Sequence, residues 1–201
     1  MIITVARECG SNGHLIGELV AKKLGIEFYD RKTLIQMAKD SGGYDEFRGF
    51  FEERQVNSLL YSLARRSEEF FPSTRERHFL KRLTKGKSFV IMEVCSNYIF
   101  RDDDATSVFI HAQADYKVKE IERRLGYSEE KAKNFIKNTD LRRKEFHNYY
   151  TGEFWGEGKN YNLCIDSTQI DPEFAADMIV SYVNAKQGKE MEILTNPTIK
   201  E

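Results

Sequence analysis

The sequence is poor in cysteine, has almost no net charge and contains no long apolar run. Its three cysteines, Cys9, Cys95 and Cys164, are odd in number and far apart, with no Cys-x-x-Cys pair. That argues against a disulfide framework and a zinc site and fits a reducing cytoplasm. The four histidines are scattered without a spaced ligand pair, so a metal enzyme gets no support. With 31 basic against 32 acidic residues, overall charge gives no reason to expect nucleic acid or a membrane as partner. No apolar stretch is long enough to cross a bilayer and no signal peptide precedes the first apolar strand, so the chain reads as cytoplasmic. Internal repeats, low-complexity tracts and a defensible Ser-His-Asp or Cys-His order are likewise missing. What is left is a polar, globular composition over 201 residues, enough for one domain with a sizeable core.

The informative segment is the first thirty residues. A short apolar strand, Ile2 to Val5, runs into Arg7-Glu8-Cys9-Gly10-Ser11-Asn12-Gly13 and then directly into an amphipathic helix. Glycines at 10 and 13 allow a tight turn and a close backbone approach. The helix behind them offers unpaired amides and a positive dipole end, so the expected guest is an anion, most often phosphate. The loop departs from G-x-x-x-x-G-K-[ST], because His14 and Leu15 stand where a Lys and a hydroxyl residue belong.

Further along, Leu15, Ile16, Leu19, Val20 and Leu24 mark one helical face that ends at Gly25. Ile26 to Tyr29 forms a second strand, and Leu34, Ile35 and Met37 a second helix. A loop at Ser41-Gly42-Gly43 precedes a long helical pattern from about Phe50 to Phe71, broken at Pro72, and then a basic helix over Arg75 to Leu83. Ser88 to Met92 and Ser107 to His111 read as buried strands, Leu163 to Ile165 as a weaker one. A last helix opens with Asp171 and Pro172 and carries Phe174, Met178, Ile179 and Val183 on its expected buried face. Strands alternating with helices imply a parallel sheet covered on both sides, with ligands at the carboxyl ends of the strands.

Several blocks occur in the order found in one family: Ile3 to Gly13, Phe28 to Arg31, Ser96 to Arg101, Val108 to Ala112, Thr139-Asp140 with Arg143, Tyr149 to Gly152, and Asn160-Tyr161 leading to Asp166-Ser167. Together they resemble the cytidylate-kinase-like proteins, a branch of the P-loop nucleoside monophosphate kinases, over roughly residues 2 to 184. The resemblance implies a P-loop kinase-type three-layer α/β sandwich with a five-stranded parallel sheet. It implies one domain over 1–186, with a helical acceptor-binding insertion at about 42–86, a lid at about 124–152 and a tail over 187–201. It further implies transfer of the terminal phosphoryl of ATP, with Mg²⁺, to a nucleoside monophosphate such as CMP or dCMP. The loop ends Asn12-Gly13-His14 rather than Gly-Gly-Arg, and Glu93-Val94 replace the Gly-Arg pair that follows the third strand in the family. A non-catalytic nucleotide- or phosphate-binding regulatory protein on the same scaffold is therefore the rival reading.

Phosphoryl transfer needs backbone donors, a metal carboxylate and converging cations. Gly10, Ser11, Asn12, Gly13 and His14 are the phosphate-binding candidates, although such a turn is also a common strand-to-helix connection. Arg7 and the lid residues Asp140 and Arg143 are the catalytic candidates, with Arg142, Arg123 and Arg124 as further cations. Glu93 ends a strand and reads either as a carboxylate orienting Mg²⁺ through water or as a salt-bridged strand-end residue. Asp30 and Arg31 are acceptor-binding candidates, with helix capping the alternative for Asp30. Cys9 is either a thiol of lowered pKa or a small packing residue, and Tyr149, Tyr150 and Trp155 either stack on a base or fill a core. The apolar content of residues 50 to 71 suggests a homodimer.

Overall fold

The computed structural model describes residues 1–53 and 73–188. Most of the helical pattern expected between Phe50 and Phe71, and with it the basis for a dimer, lies outside the described residues, as does the end of the tail. Where that pattern begins, it is interrupted: the helix ends at Phe51 and Glu53 turns into the left-handed region at φ 46°.

Five strands, β1 (Ile2–Arg7), β2 (Glu27–Tyr29), β3 (Phe89–Met92), β4 (Thr106–His111) and β5 (Leu163–Asp166), form one sheet in the order β2-β3-β1-β4-β5. Every neighbouring pair is parallel, so all five carboxyl ends open on the same edge. All four residues of β3 are buried, as expected of a strand covered on both faces. Edge strand β5 buries only Ile165. On one face Ile3, Val5, Val90, Met92, Val108 and Ile110 pack against α1 (Gly13–Leu24) and α8 (Pro172–Lys186). On the other, Phe89 and Ile91 pack against α2 (Arg31–Asp40), α3 (Tyr44–Phe51), α4 (Ser73–Leu83), the short α5 (Ser96–Ile99) and Phe146 of α7 (Glu129–Thr151). A further helix, α6 (Ala114–Leu125), pairs with the start of α7 through Val118, Ile121, Ala132 and Ile136. Each fully buried aliphatic side chain contributes roughly 1.5–3 kcal/mol, so the two apolar layers hold the sheet rigid beneath its open edge.

Two helices present faces other than those expected. In α8 the buried stripe is Ala175, Ala176, Ile179 and Val183, while Phe174 and Met178 are exposed. In α1, Ile16, Gly17, Val20 and Ala21 are buried and Leu15 is exposed. In both cases small residues extend the buried stripe, which turns the bulkier neighbour one position, about 100°, away from it.

Candidate active site

The segment after β1 bends around the start of α1. Gly10 has φ +85°, and a Cβ there would meet the backbone oxygen of Lys117 in α6 at 2.8 Å. A Cβ on Gly13 would meet the Arg7 side chain at 2.6 Å. The two glycines therefore admit the protein's own neighbouring elements as well as shaping the turn. Ser11 is fully buried; its hydroxyl donates to Glu8 O and Ile110 O, and its carbonyl accepts from Ser167 Oγ at 2.8 Å. Ser11 thus anchors the loop from beneath and contributes no side chain to the cleft above.

Asn12 stands before α1 in a left-handed conformation, with its side-chain amide donating to Tyr116 Oη at 3.0 Å, so it does not cap the helix. The first intrahelical bond runs from Ile16 N to Asn12 O, which leaves the amides of Gly13, His14 and Leu15 open. Among the described helices of eight or more residues, α1 alone has neither a side-chain cap nor an acidic residue in its first turn. Side chains cap α2 (Asp30), α7 (Ser128) and α8 (Asp171). An open, positive helix end facing a cleft favours an anion.

That cleft, about 420 Å³, is lined by the loop residues Arg7 to Gly10 and Asn12 to His14, by Ile121, Arg124 and Leu125 of α6, and by Phe135, Thr139, Arg142 and Arg143 of α7. One end is cationic; the other carries exposed apolar groups, Leu125 and Phe135. A second cavity of about 250 Å³ adjoins it, lined by Arg7, His14, Asp30, Arg31, Glu53, Met92, Glu93, Val94, Arg142 and Arg143. Arg7, His14, Arg142 and Arg143 belong to both.

A chain of alternating charges ties these walls together. Lys117 Nζ meets Glu8 Oε2 at 2.8 Å and Asp140 Oδ2 at 3.8 Å. Asp140 Oδ1 accepts from the Cys9 amide at 2.7 Å and lies 3.6 Å from Arg143 Nη1. Arg143 donates to Arg7 O at 2.9 Å, and its Nε lies 3.6 Å from Glu93 Oε1, which also pairs directly with Arg7. Asp140 thus positions the loop from behind. Burial pushes its carboxyl up to about 6, against the Cys9 amide, Arg143 and Lys117. The buried Nε of both Arg142 and Arg143 lacks a hydrogen-bond partner, but Arg143 has the ion pairs just described and Arg142 has none among the described residues. Arg124 reaches the cleft near Glu120, whereas Arg123 is exposed and bound to Glu120.

Asp30 lines the second cavity and at the same time caps α2, accepting from the Thr33 amide at 2.8 Å. Arg31 pairs directly with Glu53, a buried carboxylate that sequence patterning hid inside an apparent helix. Burial, with the charge of Glu93 beside it, raises the Glu53 carboxyl against Arg31, Arg143 and Arg7. Burial and then Arg7 lower His14, whose ring sits edge-on to Phe28. Glu93, Val94 and Cys95 have φ of 60°, 47° and 55°, three successive left-handed residues that cost roughly 1–2 kcal/mol each. Burial of Val94 and Cys95, and the 3.0 Å bond from Glu93 N to Val5 O, hold this turn at the cavity wall.

The other candidates resolve simply. Burial raises the Cys9 thiol, outweighing Arg143, and Cys9 packs with Val118 and Ile121; it is a packing residue. Tyr150 packs on Phe50 and Phe146, and Trp155 on Phe109, so these aromatics fill cores. Among the described residues no group of three His, Cys, Asp or Glu side chains is placed to hold a metal. The engagement of Glu93 with two guanidiniums does not fit a resident Mg²⁺; Mg²⁺ fits here only as part of a nucleotide substrate, on its phosphates. No helix among the described residues is long and apolar enough to cross a membrane.

No curated protein matches the chain. Among solved structures, an uncharacterized protein from Eubacterium ventriosum is 29% identical, with a TM-score of 0.72 over 92% of this chain and 99% of that one. Shikimate kinase from Acinetobacter baumannii, solved with shikimate, is 14% identical with a TM-score of 0.53, covering 94% of this chain and 95% of its own. A gluconokinase from Sinorhizobium meliloti is 12% identical with a TM-score of 0.51, covering 92% and 95%. These last two share the P-loop kinase fold with the five-stranded sheet described above. The model of the cytidylate kinase-like family matches residues 2–169, and with the sheet order and the loop in place the chain belongs to that family.

Proposed function

We propose that the 420 Å³ cleft binds ATP as its magnesium complex and that the chain transfers the terminal phosphoryl to a small acceptor in the adjoining 250 Å³ cavity. The observation that carries this reading is the shared wall: Arg7, Arg142 and Arg143 face both spaces. Phosphoryl transfer consists mainly of holding donor and acceptor in line and neutralising the group that passes between them. A protein that only bound nucleotide would need the first cleft and the open end of α1; a second cavity behind the same guanidiniums favours the enzyme over the regulatory binding protein. The phosphates would lie on the amides of Gly13 and His14, with Leu125 and Phe135 against the base.

CMP or dCMP is the acceptor that the name of the cytidylate kinase-like family brings to the test. Two neighbours of the same fold are by name a shikimate kinase and a gluconokinase, so the fold leaves the acceptor open. The test is ADP formation by the purified chain with MgATP and a panel of acceptors, beside ATP binding by calorimetry. Acceptor-dependent ADP release is expected. ATP binding with no turnover on any acceptor would establish the binding protein instead.

A further inference from the structure

A phosphate monoester brings two negative charges, and a site for it needs cations that carboxylates have not already claimed. The second cavity is not built that way. Its lining residues include four arginines, but Arg7 is paired with Glu93, Arg31 with Glu53, and Arg143 lies between Glu93 and Asp140. His14 is held toward its neutral form by burial and by Arg7. Among the described lining residues, Arg142 alone is a cation with no recorded carboxylate partner, and it also faces the donor cleft. A γ-phosphate arriving there takes up that charge and leaves nothing over for a second phosphate.

The carboxylates themselves point to the complementary chemistry. Their recorded bonds use Asp30 Oδ1, Glu53 Oε2 and Glu93 Oε1. Glu53 Oε1 and Glu93 Oε2 have no protein donor among the described residues, whereas Asp30 is also held by the Thr33 side chain and the Lys32 amide; an ionised carboxylate only accepts. The ligand that satisfies them is one that donates through several O–H groups.

We propose that the acceptor is an uncharged polyhydroxylated molecule, a sugar, cyclitol or nucleoside, held through its hydroxyls by Glu53 and Glu93 with Asp30 beside them in the cavity wall. This rests on the phosphoryl-transfer reading and names the substrate class within it. One acceptor hydroxyl oxygen bonds to the γ-phosphorus while the bond from that phosphorus to the β–γ bridging oxygen breaks. ADP leaves with the electron pair, and the hydroxyl proton passes to Glu53, a carboxylate in the wall of the acceptor cavity.

The experiment uses the full chain with MgATP and two panels at equal concentration. One holds CMP, dCMP, UMP, AMP and GMP; the other holds cytidine, hexoses and cyclitols. ADP release is followed by a coupled assay and the new phosphate ester by ³¹P NMR. The expected result is a kcat/KM at least about a hundredfold higher for the best polyol than for the best monophosphate, as befits a site whose buried polar groups match only one of them. Turnover on monophosphates but not on polyols, or on both within tenfold, overturns the acceptor class and leaves phosphoryl transfer standing. ADP formation on neither panel, with ATP bound, overturns phosphoryl transfer and the acceptor class together.

Discussion

Arg142 and Arg143 are adjacent on α7 and have opposite surroundings. Arg143 is tied to Arg7 O, Glu93 and Asp140, so removing it strands largely buried carboxylates. Arg143→Ala is expected to cost about 3 kcal/mol of stability, the usual penalty of breaking a buried pair, and to lower turnover through the misplaced loop. Arg142→Ala breaks no recorded pair. It is expected to leave the melting temperature unchanged and ATP affinity nearly so, while kcat falls about a hundredfold, the cost of one preorganised electrostatic donor. Thermal melts, calorimetry and kcat on both variants check this contrast. Loss of kcat confined to Arg143→Ala, at full stability, would reverse the two roles.

At the scale of elements, the loop is packed against α6. Gly10→Ala combines a left-handed φ with a Cβ 2.8 Å from a backbone oxygen that no rotamer can move. Gly86 has a similar φ of +76° with nothing within 4 Å, so Gly86→Ala isolates the conformational cost alone. Gly10→Ala is expected to be the more destabilising by about 1–3 kcal/mol in urea titrations, the range for overpacking. Equal effects would mean that α6 does not press on the loop. Sequence periodicity was enough to place β1 to β5, α1 with its Gly25 stop and α8 with its Asp171 cap, because each is a local pattern with its own punctuation. It could not show what fills the space beside Gly10 and Gly13, since that depends on α6 and Arg7 folding back. Nor could it separate Arg142 from Arg143, because the rotation of α7 about its axis is fixed by Ala132, Ile136 and Phe146. Glu53 carried no signal at all: its role arises from a turn that interrupts a helical pattern.

For the whole molecule, the half-buried Asp140 and the buried His147 set opposing responses to pH. Folded Asp140 titrates near about 6 instead of 3.8, so between those values the folded protein keeps a proton that the unfolded chain has released. Stability from this group falls as pH rises through that window. His147, held neutral by burial, titrates near about 4 instead of 6.5, so the unfolded chain takes up the proton first and stability falls as pH drops through 6.5 toward 4. The two slopes oppose each other between pH 4 and 6. Asp140→Asn keeps an acceptor oxygen for the Cys9 amide and removes only the first. Its stability is expected to rise with pH more steeply than that of the wild type over this range, by up to about 1.4 kcal/mol per pH unit. Urea denaturation at pH 4, 5 and 6 measures the difference, and parallel curves would place Asp140 back in the ordinary carboxylate range.

The sheet order also governs how the chain is born. Its central strand is the first to be synthesised, yet Ile2 pairs with Phe89 and Ile3 with Thr106. At about 5–20 residues per second, β1 waits roughly 4 to 20 s on the ribosome for its neighbours. Until β3 is made, Ile2 to Ala6 is a largely apolar ribbon with both edges bare, the kind of segment that adds to strands of other chains. A nascent chain halted before β4 still leaves one of those edges open, but one halted before β3 leaves both, so slow translation ahead of residue 89 exposes this protein to aggregation more than a pause between residues 90 and 106.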